Sequence, residues 1–430
     1  MNINAKALVS VFVGVLTALV FAQASEAGEP NKADETQREL PNPTPAWDFP
    51  GIEALSGKTE PDPLVFLDGR RVKTREDWAL RRLEIIRLAE HYIYGSVPAE
   101  RLKEGTPAPE VIKAEANELD GIAVKQTLEV YIAPDGKDKE ADSVIHVNMY
   151  VPKERKGPVP AVLLIGLETP KGEGLAPVRY MAEHGFAVCG FSHRGALMGT
   201  YRHYFPLHSG PWVKKEGKTV WQHGWGEMAI WAWKARRVFD ALVERPEIDG
   251  KRIVVAGGSR YASAALLTAA YEERVALLYC WQGVPQNREI GRQGVDFKSK
   301  YAAVLDEIQA VGKLKSLPVD NHCLLATVAP RPVLFAAAST NPYGFTSSDL
   351  YHYTHAIRTY EFLGATFPER TVLPKERPWK TGIYGKGPMA FLLREGGHAW
   401  VLDDWTYLIS FAEEQLKPNA ATQGNREETP

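Results

Sequence analysis

From residue 160 onward the chain repeats one pattern, a short uninterrupted apolar run followed by a stretch with helical spacing. The runs are PAVLLIGL (160–167), FAVCGFS (186–192), RIVVAGG (252–258), VALLYCW (275–281) and RPVLFAAA (331–338). A strand with one wet face alternates apolar and polar residues, whereas an uninterrupted run marks a strand buried on both faces. Helical stretches at 226–245 and 261–273 separate runs of this kind. Strand and helix in alternation require crossovers, and crossovers make neighbouring strands parallel. The pattern therefore predicts an α/β fold, a three-layer sandwich with a mostly parallel central sheet and helices on both faces. A last strand, AFLLREG (390–396), and a last helix, LDDWTYLISFAEEQL (402–416), close the unit.

Upstream the pattern differs. TREDWALRRLEIIRLAEHYIYGSVP (74–98) carries apolar residues at helical spacing and stops at Gly95 and Pro98. AVKQTLEVYIA (123–133) and SVIHVNMYVP (143–152) alternate like half-buried strands around a turn-forming segment, which predicts an antiparallel pair. Residues 1–27 hold one lysine, an apolar run from Ala7 to Ala22 and then small residues, the pattern of a cleaved signal peptide. The run falls short of the roughly 20 residues that span a bilayer. The expected product is secreted or periplasmic, with no membrane contact after cleavage. Residues 28–63 read as a linker or a surface-laid segment, 64–416 as one domain, and 417–430 as a disordered tail.

With 51 basic against 53 acidic residues, the net charge of −2 provides no field to gather nucleic acid. The three cysteines, Cys189, Cys280 and Cys323, sit in or beside apolar runs and read as core thiols. No CxxC, HExxH or clustered His/Cys spacing occurs, so neither metal nor cofactor is expected. The oligomeric state is not encoded legibly.

Chemistry concentrates at VVAGGSRYASAAL (254–266), where a buried strand runs into a helix. Ser259 is flanked by Gly257 and Gly258, the small neighbours that a sharp nucleophile elbow needs. Two readings compete, a nucleophile or an ordinary helix N-cap. Downstream, LLREGGHAWVLDDW places His398 between the last strand and the last helix, where a general base reaches a serine at the sheet's carboxyl edge.

RRLEIIRLAEHYIYGSVP, GWGEMAIWAWKARRVFDALVERPEIDGKRIVVAGGSRYAS, DNHCLLATVAPRPVL and REGGHAW, in this order and spacing, resemble the glucuronoyl esterase family of carbohydrate esterases. The resemblance implies an α/β-hydrolase fold and a serine esterase that cleaves uronate esters of cell-wall polysaccharide without a cofactor. It places the nucleophile on Ser259, the base on His398, and on Arg260 the arginine that faces the oxyanion. The family motif G-C-S-R-x-G-K ends here in Ala262 and Ser263, so Ser263 takes the place of a sugar-contacting lysine and is a candidate substrate-binding residue. The two family positions for the triad acid read Gln282 and the stretch from Ser339 to Asn341, none of them acidic. Gln282, Asn341 and Asp349 are thus the candidate partners of His398, with Glu395 close to it in sequence. Tyr343 and Trp281 are candidate sugar-stacking residues.

A cationic loop, FSHRGALMGTYRHYFP (191–206), contributes His193, Arg194, Arg202 and His203, either as a substrate grip or as solvated surface. His322 reads as structural. The empty acid positions keep two alternatives open: a catalytically weakened relative that binds acidic polysaccharide, and an acetyl esterase on the same scaffold.

Overall fold

A computed structural model describes residues 47–57, 59–97, 109–132, 144–166, 174–194, 212–215, 218–221, 225–285, 312–341, 345–368 and 380–417. The 1–27 segment, much of 28–63 and nearly all of the tail lie outside the described residues.

Twelve strands are present among them: β1 (Glu110–Glu118), β2 (Ala123–Tyr131), β3 (Val144–Pro152), β4 (Val159–Ile165), β5 (Ala187–Phe191), β6 (Trp212–Lys215), β7 (Lys218–Trp221), β8 (Ile248–Gly258), β9 (Leu277–Trp281), β10 (Val333–Ala338), β11 (Gly382–Tyr384) and β12 (Met389–Arg394). Ten form one sheet in the order β1-β2-β3-β5-β4-β8-β9-β10-β12-β11, and β6 and β7 pair separately. From β5 across to β12 all pairings are parallel. The expected pair β2–β3 is antiparallel, running from Ala123↔Pro152 to Tyr131↔Val144. Strand β1 is largely exposed at the sheet's edge and mixes polar with apolar residues, which is why its sequence carries no core signal.

The helices are α1 (Arg75–Ala89), α2 (Leu175–Glu183), α3 (Glu227–Val243), α4 (Arg260–Tyr271), α5 (Asn321–Ala326), α6 (Phe345–Phe362) and α7 (Leu402–Gln415). Helix α1 starts on a capping box: Thr74 Oγ1 accepts from Asp77 N at 3.1 Å, and Asp77 Oδ2 accepts from Thr74 N at 3.3 Å. It continues into a π-turn, Glu90–Tyr94, and stops at Gly95, whose φ of 75° ends the helix.

Alternate residues of each central strand enter opposite cores. Leu163, Val255 and Phe335 join α1, α3, α4, α5 and α6 on one face. Leu164, Val254 and Leu334 join α2 and α7 on the other. This two-sided burial is the physical origin of the uninterrupted apolar runs. Ile52 and Leu55, from the segment expected to lie on the surface, are buried in the first of these cores.

The chain leaves β4 for β5 on one side and returns to β8 on the other. Such a reversal opens a crevice at the carboxyl ends of the strands, where open α/β sheets bind ligands. Ser259 follows β8 at this point.

Candidate active site

Ser259 has φ 53° and ψ −127°, a region that a residue with a Cβ enters only when its surroundings force it. Gly257 and Gly283 make the turn possible, since a Cβ on either would meet backbone, while Gly258 makes room for a side chain. A Cβ on Gly257 would collide with the Tyr261 carbonyl, one on Gly258 with the Trp400 indole, and one on Gly283 with the Ser259 carbonyl. Although Ser259 is the residue before α4, its hydroxyl makes no capping hydrogen bond. The N-cap alternative therefore loses its physical basis, because a capping serine is identified by that bond. The Ser259 N–H donates to the Trp281 carbonyl at 2.8 Å, tying the elbow to the end of β9.

The residue after Trp281 reaches the histidine. Gln282 is fully buried, with φ 45°, and its Oε1 lies 3.1 Å from His398 Nδ1. An amide oxygen can only accept, so Nδ1 carries the hydrogen and Nε2 keeps its lone pair. That is the tautomer a base needs in order to take a proton from a serine. Trp281 backs the same imidazole, with ring centroids 5.1 Å apart. Residues 281–283 thus touch both Ser259 and His398. Burial first, and the positive charge of Arg394 second, push the imidazole below its ordinary value.

Among the candidate partners of His398, Gln282 is the one bonded to Nδ1. Asp349 fails as the triad acid. It is fully buried on α6, and its Oδ1 accepts from Val284 N at 3.3 Å, so it braces the turn that carries Gln282. Burial also raises its carboxyl well above the usual range, which favours the neutral form. Asn341 closes a turn at the end of β10, its N–H donating to Ala338 O at 3.2 Å. Glu395 is exposed, and the contact recorded at that residue is its carbonyl, which accepts from Arg394.

Two substrate-contact expectations are corrected. Ser263 is 3% exposed and its Oγ donates to the Gly283 carbonyl at 3.0 Å, so its hydroxyl serves the Gln282 turn and is shut off from the cleft. Trp281 is 1% exposed and stacks on Trp400 at 4.8 Å, which makes it a wall behind the histidine with no face left for a sugar. Tyr343, Arg202 and His203 lie outside the described residues, as does the loop after β4 beyond Gly166. Arg260 opens α4 and is exposed, and it forms no ion pair among the described residues.

Beside the elbow lies a second polar group, of which the sequence singled out His193 and Arg194 but not Tyr261 or Lys234. Tyr261 packs against Gly166 and its hydroxyl lies 3.0 Å from His193 Nδ1. Lys234, fully buried on α3, points its ammonium at the carbonyls of Ser192, His193 and Arg194, at 3.1, 3.4 and 2.9 Å. A buried ammonium needs such acceptors, and here they fix the start of the cationic loop. The lysine follows the apolar stretch Ala229–Trp233, and that contrast was the available signal. His322 is structural, its Nε2 lying 2.7 Å from the Pro61 carbonyl. The three cysteines are buried and free. Among the described residues, no cluster of His, Cys, Asp and Glu could hold a metal ion, and no helix is long and apolar enough to cross a membrane.

A family model described as glucuronyl esterase, fungi, matches residues 136–364. The carbohydrate esterase MZ0003, from an unknown prokaryotic organism, is 25% identical over 84% of this chain and 90% of its own length. The 4-O-methyl-glucuronoyl methylesterase of Cerrena unicolor is 28% identical over 64% of this chain, which spans 56% of that enzyme. A promiscuous CE15 esterase from a marine bacterial metagenome superposes with a TM-score of 0.64 at 22% identity, covering 85% of this chain and 99% of that one.

Proposed function

The chain belongs to the glucuronoyl esterase family of carboxylic ester hydrolases, and on that premise we propose that it is a secreted or periplasmic serine esterase acting on uronate esters of cell-wall polysaccharide. The observation that carries this reading is that Trp281 and Gln282 hold both an uncapped Ser259 at positive φ, through its N–H, and a His398 whose Nδ1 faces the Gln282 oxygen at 3.1 Å. Ser259 Oγ attacks the ester carbonyl as its proton passes to His398 Nε2. The Arg260 backbone N–H and guanidinium stabilise the oxyanion that develops. The imidazolium then gives its proton to the departing alcohol, and water releases the uronic acid by the same route. The apolar run from Ala7 to Ala22 supports export.

Gln282 replaces the family carboxylate with a neutral amide. An amide fixes the tautomer, as in Cys-His-Asn proteases, but lends the imidazolium no negative charge. Turnover below that of carboxylate-bearing relatives follows. The same substitution favours a second reading, a weakened relative retained for binding acidic polysaccharide.

Hydrolysis of the methyl and benzyl esters of glucuronic acid tests the choice. The expected outcome is turnover that Ser259→Ala lowers by about 10⁴-fold or more. Binding of glucuronoxylan with no serine-dependent turnover of any ester would move the assignment to the second reading.

A further inference from the structure

The turn that carries His398 is poorly suited to hold anything still. It reads Glu395, Gly396, Gly397, His398, Ala399; apart from the half-buried histidine all are exposed, and Gly396 has φ 100°. Two adjacent glycines give such a turn more conformations than any other pair of residues. A general base displaced by 1 Å loses about 10²-fold in rate, so something must restrain the turn.

We propose that Arg394 is a positioning residue for His398, spanning its turn with a guanidinium anchored on Asp404. This rests on His398 acting as the base. Nη1 donates to the Glu395 carbonyl at 2.7 Å and Nη2 donates to the Ala399 carbonyl, so one planar fork grips the turn on both sides of the histidine. The third bond fixes the fork itself, with Nε donating to Asp404 Oδ1 at 2.8 Å. Asp404 is fully buried in the first turn of α7, and its Oδ2 accepts from Val401 N at 3.0 Å. The turn is therefore referenced to the last helix and to the last parallel strand at once. Two backbone bonds from the β10 end assist, Ser339 N to Arg394 O at 2.9 Å and Thr340 N to Gly396 O at 3.0 Å.

Stability alone is a poor reason for this arrangement. A buried Arg–Asp pair is often no better than well-packed apolar residues of the same size, because both charges must be desolvated. The planar fork of arginine reaches two carbonyls and a carboxylate spread around it through three separate nitrogens, whereas the three donors of a lysine ammonium all radiate from one nitrogen.

The guanidinium also places a positive charge beside the imidazole. Among the described residues, the groups recorded facing His398 are Trp281 at the end of β9 and Gln282 just after it, both neutral, and Arg394 at the end of β12 with Asp404 of α7 behind it. Arg260 is a further cation, exposed at the start of α4. With burial acting first and Arg394 second, the imidazole stays neutral below its ordinary value of 6.5. The base is therefore ready at mildly acidic pH.

Steady-state kinetics from pH 4 to 9 on the benzyl ester of glucuronic acid, with full-length Arg394→Lys and Arg394→Gln, tests the proposal. Arg394→Lys keeps the charge and loses the fork: kcat should fall about tenfold or more, KM should stay within about twofold, and the acid limb of kcat/KM should not move. Arg394→Gln should lose a similar amount of kcat, with the acid limb displaced upward. Wild-type kcat in Arg394→Lys, or an acid limb that stays put in Arg394→Gln, would overturn the proposal. If neither variant folds, Asp404→Asn keeps the guanidinium and loosens its anchor; it should lower kcat in the same way, and an unchanged kcat overturns the proposal. His398→Ala is measured alongside. Full activity in that variant would instead remove the reading of His398 as base, whatever Arg394 does.

Discussion

The two halves of the site are built by different means. The Ser259 half is made by the backbone: glycines at 257 and 283 allow a strand-to-helix turn that a Cβ at either position would block, and the serine N–H is held by the β9 carbonyl. The His398 half is made by buried polar side chains. Gln282 orients the ring, Arg394 with Asp404 grips the turn, and Ser263 and Asp349 hold the segment on which Gln282 sits. A steric requirement leaves few residues to choose from. A network of hydrogen bonds tolerates exchanges: Gln282 and Ser263 stand in this second half where the resemblance implies a carboxylate and a lysine. The motif exchange in the first half, Gly258 for cysteine, faces only the Trp400 side chain.

The contrast can be broken by mutation. The largest effect belongs to His398→Ala, with kcat expected to fall on the order of 10⁴-fold while the melting temperature hardly changes; kinetics and thermal unfolding check both. Gly257→Ala should come next. Its Cβ meets backbone that cannot rotate away, so a loss of at least about 1–3 kcal/mol of stability should accompany loss of turnover. Unchanged turnover would mean that the elbow is not sterically determined.

Gln282→Ala should lower kcat by about 10²-fold with KM little altered, since it removes orientation and leaves binding alone. Gln282→Glu is the sharper variant. A carboxylate would stabilise imidazolium, so kcat should rise by about tenfold and the acid limb of kcat/KM should move up in pH. Wild-type enzyme should retain its base function below pH 6.5, because the imidazole is depressed by burial and by Arg394. The smallest effect belongs to Ser263→Ala. It leaves the buried Gly283 carbonyl unsatisfied, at a cost of about 1–3 kcal/mol in stability read by denaturant unfolding, and should change kcat only a few-fold.

The same division explains what could be read from the sequence. The parallel sheet was legible because strands buried on both faces have no polar positions, as in LLYCW and VLFAAA. The elbow was legible because Gly-Gly-Ser at a strand end has few structural uses. Strand β1 was not, because an exposed edge strand of mixed polarity shows no buried face to read. Ser263 and Trp281 were misread as substrate contacts because their neighbours in sequence line the site while their own side chains point into the core. Gln282 could be named as a candidate but not separated from Asn341 and Asp349, since the bond to Nδ1 depends on a positive φ at Gln282 itself.

The most direct measurement is the rate at which a fluorophosphonate labels the protein, with the adduct located by mass spectrometry. The expected result is a single adduct on Ser259, formed at least about 100-fold more slowly in His398→Ala and faster in Gln282→Glu. No adduct at Ser259, or labelling at the same rate with and without His398, would contradict an activated serine at this elbow.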